Sequence, residues 1–321
     1  MGAEKQESSL DARFLASSSK AWRRTGYHLY TLWLFTRSDL KTIVGPSFLF
    51  GVTNALAAPA YNIAFDSGHL SVTVAQRSIL ALLWVWAQLL PFSISNQNSP
   101  AAIAEDGVNK PWRPLPSKRV TSRQASRVMV ALYGVAVVLS GVVGGLRQSL
   151  GLVVLGGWYN YLAGGDASWI VRNSINAAGY VCFTSGAMEV SLGQRVGLPV
   201  QAKLATWFGV LGAVNCSTIQ LQDMTDQEGD RVRGRKTLPL VVGDGAARWM
   251  TAVPLMTWGF ACPAYWGVGM AVRGASLVLV GVVTGRCLAL RSVVADAKTY
   301  PLYNVWIALV FVLPLLSQKG W

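Results

Sequence analysis

An all-α, polytopic membrane protein with about nine transmembrane helices is predicted by three features of this 321-residue sequence. Hydrophobic residues make up 52% of the chain, and the mean hydropathy is +0.37. Apolar stretches recur from about residue 42 to the C-terminus, and crossing the hydrocarbon core takes roughly 17–25 largely apolar residues as a helix. Lys and Arg fall mainly on one side when loops are assigned alternately to the two faces of a bilayer, a bias that sets membrane orientation.

The chain divides into a polar N-terminal tail with an interfacial helix, 1–40, and a transmembrane domain, 41–321. Residues 1–20 are rich in Ser, Lys and Glu, a composition that favours disorder. No short apolar core with a cleavage site marks a signal peptide. Trp22 to Phe35 mixes aromatics with Arg23, Arg24 and His28, as a helix lying in the headgroup region does. Nine apolar segments follow, near 42–64, 76–97, 126–146, 149–165, 169–192, 200–222, 245–266, 268–290 and 299–317.

Two long polar interruptions break this series, Asn96 to Arg127 and Asp223 to about Arg248. The first contains Pro100, Pro111, Pro114 and Pro116, so part of it is loop. Of 28 Lys and Arg, only Arg77, Arg147, Arg195, Lys203, Arg273 and Lys319 fall opposite the N-terminus. Both interruptions are therefore expected on the cytosolic side, where they can meet over one cavity. A net charge of +13 spread over alternate loops is not the single basic face of a nucleic-acid binder. Two histidines and four scattered cysteines argue against a zinc site or a disulfide framework.

The chemistry concentrates at the second interruption, in Asp223-Met-Thr-Asp226-Gln-Glu-Gly-Asp230. Offsets of three and seven put the three carboxylates on one helix face. They repel one another there unless a hard cation lies among them, and Mg²⁺ prefers carboxylate oxygens shared with substrate phosphates. Arg231-Val-Arg233-Gly-Arg235-Lys236 follows, with cationic groups suited to phosphate oxygens. A solvated acidic helix end is the plainer alternative, but acids so close to hydrocarbon tend to be functional. Glu228 lies off the shared face.

The first interruption carries a weaker counterpart. On one helix, Asn98, Ala102 and Asp106 would share a face, with Glu105 beside it. Asn98 and Asp106 are open to two readings, metal ligation or a cap and turn role. Lys110 and Arg113 sit among prolines, as diphosphate ligands or as contacts to lipid headgroups. Tyr159-Asn160 ends one span and Arg172-Asn173 begins the next, placed either to grip a diphosphate or to snorkel to the interface. Glu189 is expected at the far interface. A faint internal similarity links Asp106-Gly-Val-Asn-Lys-Pro-Trp-Arg-Pro-Leu-Pro to Asp230-Arg-Val-Arg-Gly-Arg-Lys-Thr-Leu-Pro-Leu.

Together these segments resemble the UbiA-type intramembrane prenyltransferase superfamily. The resemblance runs from about Leu29 to the last span and is strongest over Asn98 to Pro116 and Gln222 to Pro239. It implies nine helices around a central cavity, with two Asp-rich motifs holding Mg²⁺ and an isoprenyl diphosphate. The metal ligands so implied are Asp223, Asp226, Asp230, Asp106 and Asn98. Diphosphate binding is expected from Lys110, Arg113, Tyr159, Arg172, Asn173, Arg235 and Lys236. The first motif departs from the family pattern, because Ser99 and Ala102 stand where two carboxylates are expected; Glu105 is the nearest compensating acid. Tyr30-Thr-Leu-Trp-Leu-Phe-Thr-Arg-Ser-Asp39 and Asn109-Lys-Pro-Trp-Arg113 look most like a fungal branch that includes terpene cyclases and aromatic prenyltransferases.

The leading expectation is a terpene cyclase of secondary metabolism that ionises geranylgeranyl diphosphate, with farnesyl diphosphate next. Few intramembrane ionisable groups are available to orient a charged acceptor, which argues against the main alternative, transfer to an aromatic acceptor. A non-enzymatic transporter is a further alternative of another class. The expected partners are the prenyl diphosphate and the bilayer, without nucleic acid or an obligate protein partner. The fungal resemblance implies the endoplasmic reticulum.

Overall fold

In a computed structural model describing residues 23–64, 69–195 and 202–320, the regular structure is entirely helical. The predicted tail up to residue 22 lies outside the described residues. An N-terminal helix α1 (23–36) is followed by a π-helical turn, Leu40–Val44. Then come α2 (Gly45–Leu56), α3 (Leu70–Gln97), α4 (Pro100–Asn109), α5 (Ser122–Val143), α6 (Leu146–Tyr161) and α7 (Trp169–Leu192). The remainder is α8 (Ala202–Thr218), α9 (Asp223–Arg233), α10 (Leu238–Val242), α11 (Asp244–Trp266), α12 (Met270–Ala289) and α13 (Val293–Gln318).

Each of the nine apolar segments is helical, as α2, α3, α5, α6, α7, α8, α11, α12 and α13. Among the described residues, five of these regions are long and apolar enough to cross a membrane by themselves: α3, α5, α8 with its 3₁₀ extension, α12 and α13. Their outward faces are apolar, with Val130, Val135, Val138 and Val142 of α5 and Val278 and Val282 of α12 exposed. A helix apolar on its outside suits lipid, where every backbone polar group must be satisfied internally. The protein is an integral, multi-pass membrane protein.

α7 is central, packing against α2, α3, α6 and α8, while α13 returns to α2 and closes the bundle. Phe50, Trp207, Trp306 and Phe311 fill its core. α3 and α7 meet closely at Gly186, where a Cβ would lie 2.1 Å from the Trp84 ring. Side chains any larger would force the helices apart, because small residues set helix approach in membranes.

Two breaks in long helices position the site. α3 ends at Gln97 with Asn98 as its cap, and Ser99, in extended backbone, begins α4. The Ser99 hydroxyl accepts from Ala102 N at 3.1 Å and Pro100 occupies the first turn, an N-terminus signature. This corrects the expectation of one helix face through Asn98, Ala102 and Asp106, since Ser99 and Pro100 restart the helix. The second break follows α8, where one 3₁₀ turn, Ile219–Leu221, redirects the chain into α9.

α1 is tied to the α4–α5 connection by aromatic and cationic groups. Arg119 lies over Tyr27 at 4.3 Å and Arg37 over Trp112 at 4.7 Å. Tyr27 Oη also donates to Arg119 O at 2.9 Å.

Candidate active site

The two polar interruptions meet, because α4 packs directly against α9. They approach closely at Gly229, where a Cβ would lie 2.1 Å from Asn109 Nδ2. That amide reaches Asp226 O at 3.4 Å. α9 ends on Gly234 in the left-handed region, φ 79°. Gly234 N donates to Arg231 O at 3.1 Å and Arg235 N to Asp230 O at 2.9 Å, the paired bonds of a Schellman cap. The turn folds Arg235 back beside Asp230.

Each aspartate of the two motifs faces a cation. Asp223 pairs with Arg172 at 2.8 Å, Asp226 with Lys110 at 3.5 Å, Asp230 with Arg235 at 3.3 Å and Asp106 with Arg113 at 2.7 Å. Glu105 accepts from both Arg235 and Arg233, at 2.8 and 3.0 Å. Asp166, in the α6–α7 connection, accepts from Arg235 Nε at 3.1 Å and from Arg233 Nη2 at 3.4 Å. α4, the end of α9 and the α6–α7 connection are thus cross-linked by charge-assisted hydrogen bonds, about twice as strong as neutral ones.

These pairs surround one end of a cavity of about 180 Å³. Facing into it at that end are Lys110, Arg113, Arg172 and Arg235, together with Asp39, Glu105 and Asp226. The rest of the lining is aromatic, aliphatic and amide, including Phe92, Phe183, Tyr303 and Asn304, with Tyr159 close to Arg172 and Arg235 and Tyr300 close to Asp39. Asp106, Asp223 and Asp230 are not among the lining residues; each stands behind the arginine that is. Tyr159 is buried with its ring 6.0 Å from Phe92.

Three residues expected at the site do not line the cavity. Asn98 Nδ2 bonds Ser126 Oγ of α5 at 2.7 Å. Asn173 is buried and ties α7 to α8, donating to Gln220 Oε1 at 3.0 Å and Cys216 O at 3.2 Å. Lys236 is exposed, and its backbone N–H meets Asp166 O at 2.9 Å. Conversely, Asp39, Asp166 and Arg233 were not singled out from sequence as site residues. The pairings of Asp166 and Arg233 join segments far apart in the chain, and Asp39 is brought to the cavity only by the fold, so local spacing carries no trace of either.

Burial raises the Asp223 carboxyl to about 7, opposed by Arg172. It also raises Asp106 against Arg113, and Asp230 against Arg172 and Arg235. Desolvation disfavours the charged carboxylate and a neighbouring cation favours it. Among the described residues no three Asp, Glu, His or Cys converge as a metal cluster. Mg²⁺ nevertheless fits the donor set. Asp106 Oδ2 and Asp230 Oδ2 are buried oxygens without a hydrogen-bond partner, Asp226 faces the cavity, and this metal commonly takes one or two carboxylates with substrate phosphates. Arg113 Nε, Arg172 Nε and Arg235 Nη2 are likewise buried donors without partners, matched to phosphate oxygens.

Comparison with known proteins gives the same picture. The UbiA prenyltransferase family profile matches residues 77–310. Fumagillin beta-trans-bergamotene synthase of Aspergillus fumigatus is 32% identical over 305 residues, 90% of this chain and 93% of that protein. Diterpene cyclase eriG of Hericium erinaceus is 25% identical, over 89% of this chain and 88% of its own. A solved UbiA homolog from Archaeoglobus fulgidus bound to GPP and Mg²⁺ has a TM-score of 0.60 at 12% identity. That match covers 88% of this chain and 99% of that one. The chain belongs to the UbiA prenyltransferase family and is an enzyme of the terpene cyclase or prenyltransferase type; the transporter alternative falls with that assignment.

Proposed function

We propose that the protein is a membrane terpene cyclase that ionises a prenyl diphosphate with Mg²⁺ and closes the prenyl chain on itself. Geranylgeranyl diphosphate is the preferred substrate and farnesyl diphosphate the next. The observation that carries the reading is the division of the cavity. Its ionisable groups gather at one end, and its remaining wall is aromatic, aliphatic and amide. Such a wall offers no charged group to orient an acidic acceptor but suits a hydrocarbon chain.

In this reading Lys110, Arg113, Arg172 and Arg235 bind the diphosphate and stabilise the charge that develops on it. Asp106, Asp223 and Asp230 position three of these cations. Asp226 is the foremost metal-binding carboxylate, and the open oxygens of Asp106 and Asp230 are the further candidates; Asn98 is left out because its Nδ2 is committed to Ser126 and it does not line the cavity. Mg²⁺, when bound, neutralises the leaving diphosphate. Phe92, Tyr159, Phe183, Tyr300 and Tyr303 exclude water and present ring faces, which attract cations. The polar end lies on the cytosolic side, by the charge bias of the loops, in the endoplasmic reticulum. Similarity to a bergamotene synthase and a diterpene cyclase supports the cyclase reading.

One observation favours the second reading, transfer to an aromatic acceptor. Asn96, Asn176, Asn215 and Asn304 also line the cavity and their amides can hold a neutral phenol. Incubation with geranylgeranyl or farnesyl diphosphate and Mg²⁺ alone separates the two. A cyclic hydrocarbon is the expected product; product that forms only with an added phenol overturns the cyclase.

A further inference from the structure

We infer that Asp39 accepts the proton whose loss ends the reaction, an assignment that rests on the cyclase reading above. Three carboxylates face the cavity: Asp39, Glu105 and Asp226. Glu105 is held by two arginines and Asp226 by Lys110. The carboxylate of Asp39 makes no hydrogen bond or ion pair among the described residues, so its lone pairs stay open to substrate. A carboxylate bound to a guanidinium is a poor base, whereas an unpaired one beside apolar surface is a competent one.

The backbone holds Asp39 in place. Its carbonyl accepts from Ile43 N at 2.8 Å and Val44 N at 3.2 Å, the second being a π-helical bond. Its own N–H donates to Thr36 O at 2.8 Å. Single π-helical turns occur often at functional sites. Thr42 and Ile43 of the same turn line the cavity with Tyr180, Tyr300 and Ile307. The carboxylate therefore lies where the charged end gives way to the hydrocarbon wall. The groups that act on its charge are Arg113 and Lys110, which favour the ionised form, and Asp226, which opposes it. Burial raises its proton affinity further.

In the step, the C–H bond beside the cationic carbon breaks and its electron pair becomes the new C=C bond. The proton passes to a carboxylate oxygen of Asp39. Cation and carboxylate are both neutralised, so no other reactant is required. A base at a fixed position would also decide which hydrogen leaves, and hence which olefin forms.

The test compares wild type, Asp39→Asn and Asp39→Glu in membranes, without acceptor, measuring released diphosphate, the hydrocarbon profile and half-saturating Mg²⁺. Asp39→Asn is expected to release diphosphate within about fivefold of wild type, while its main hydrocarbon per diphosphate falls at least about tenfold, with isomeric olefins or alcohols appearing. Asp39→Glu retains the main hydrocarbon. An unchanged profile in Asp39→Asn overturns the proposal. So does a tenfold rise in half-saturating Mg²⁺ with diphosphate release lost in parallel, which marks a metal ligand. Where the Asn variant does not fold, Asp39→Ser is read by the same criteria. Wild type that forms no hydrocarbon under these conditions instead removes the cyclase reading itself, before Asp39 is in question.

Discussion

Arg172 on α7 donates to Asp223, the first residue of α9, at 2.8 Å, with both side chains buried. The pair fixes the acidic helix to the central helix of the bundle and aims a guanidinium into the cavity. Removing one partner leaves a buried charge without compensation, which destabilises by about 3–5 kcal/mol. Arg172→Leu is therefore expected to lose about that much stability in detergent unfolding. Arg172→Leu combined with Asp223→Leu recovers most of it, yet neither protein turns over substrate. Equal stability loss in single and double variants would contradict this account.

Asp226 is the opposite case. Its ion pair with Lys110 is long and its side chain is 29% exposed, so the pair contributes about 1 kcal/mol or less. Asp226→Ala should leave the melting temperature nearly unchanged while prenyl diphosphate turnover falls at least about 100-fold. Undiminished turnover in that variant would show that the site is misassigned.

The contact between α4 and α9 depends on the missing side chain of Gly229. Its added Cβ would meet Asn109 Nδ2 at 2.1 Å, and overpacking of this kind costs about 1–3 kcal/mol. Gly229→Ala is expected to lower both stability and turnover. Asn109→Ala in the same chain makes room and restores stability, although it also loses the bond to Asp226 O. Failure of the second change to restore stability would place the strain elsewhere.

How far these features can be read from sequence differs by residue. The nine apolar segments carry their own signal, and each is helical. The cluster Asp223, Asp226 and Asp230 is likewise legible, being an i, i+3, i+7 pattern at the end of a span. Ser99-Pro100 also announces the restart of the helix at α4, so the displacement of Asn98 was available to a closer reading. The partners are another matter. Arg235 to Glu105 and Arg172 to Asp223 join residues 130 and 51 positions apart, set by how helices close a bundle. Asp39 ends a segment that carries the family resemblance, but nothing in its spacing assigns it to the site, and only the cavity places it there.

Asp223 gives the site a pH dependence. Its folded value, raised to about 7, exceeds the unfolded value of about 3.9. Between these values the fold holds a proton that the unfolded chain has released, so stability declines as pH rises through this window. Melting temperature in detergent should therefore fall as pH rises toward about 7 and flatten above it. Dependence that continues unchanged to about pH 9 would point to a different titrating group.

The central claim is that one cavity ionises a prenyl diphosphate at its charged end and retains the cation along its hydrocarbon wall. Its most direct test is the molar ratio of cyclic hydrocarbon formed to diphosphate released by the purified protein with Mg²⁺ and no acceptor. A ratio near one is predicted, unchanged when phenols are added. Diphosphate release that depends on a phenol, with prenylated phenol as the product, would contradict it.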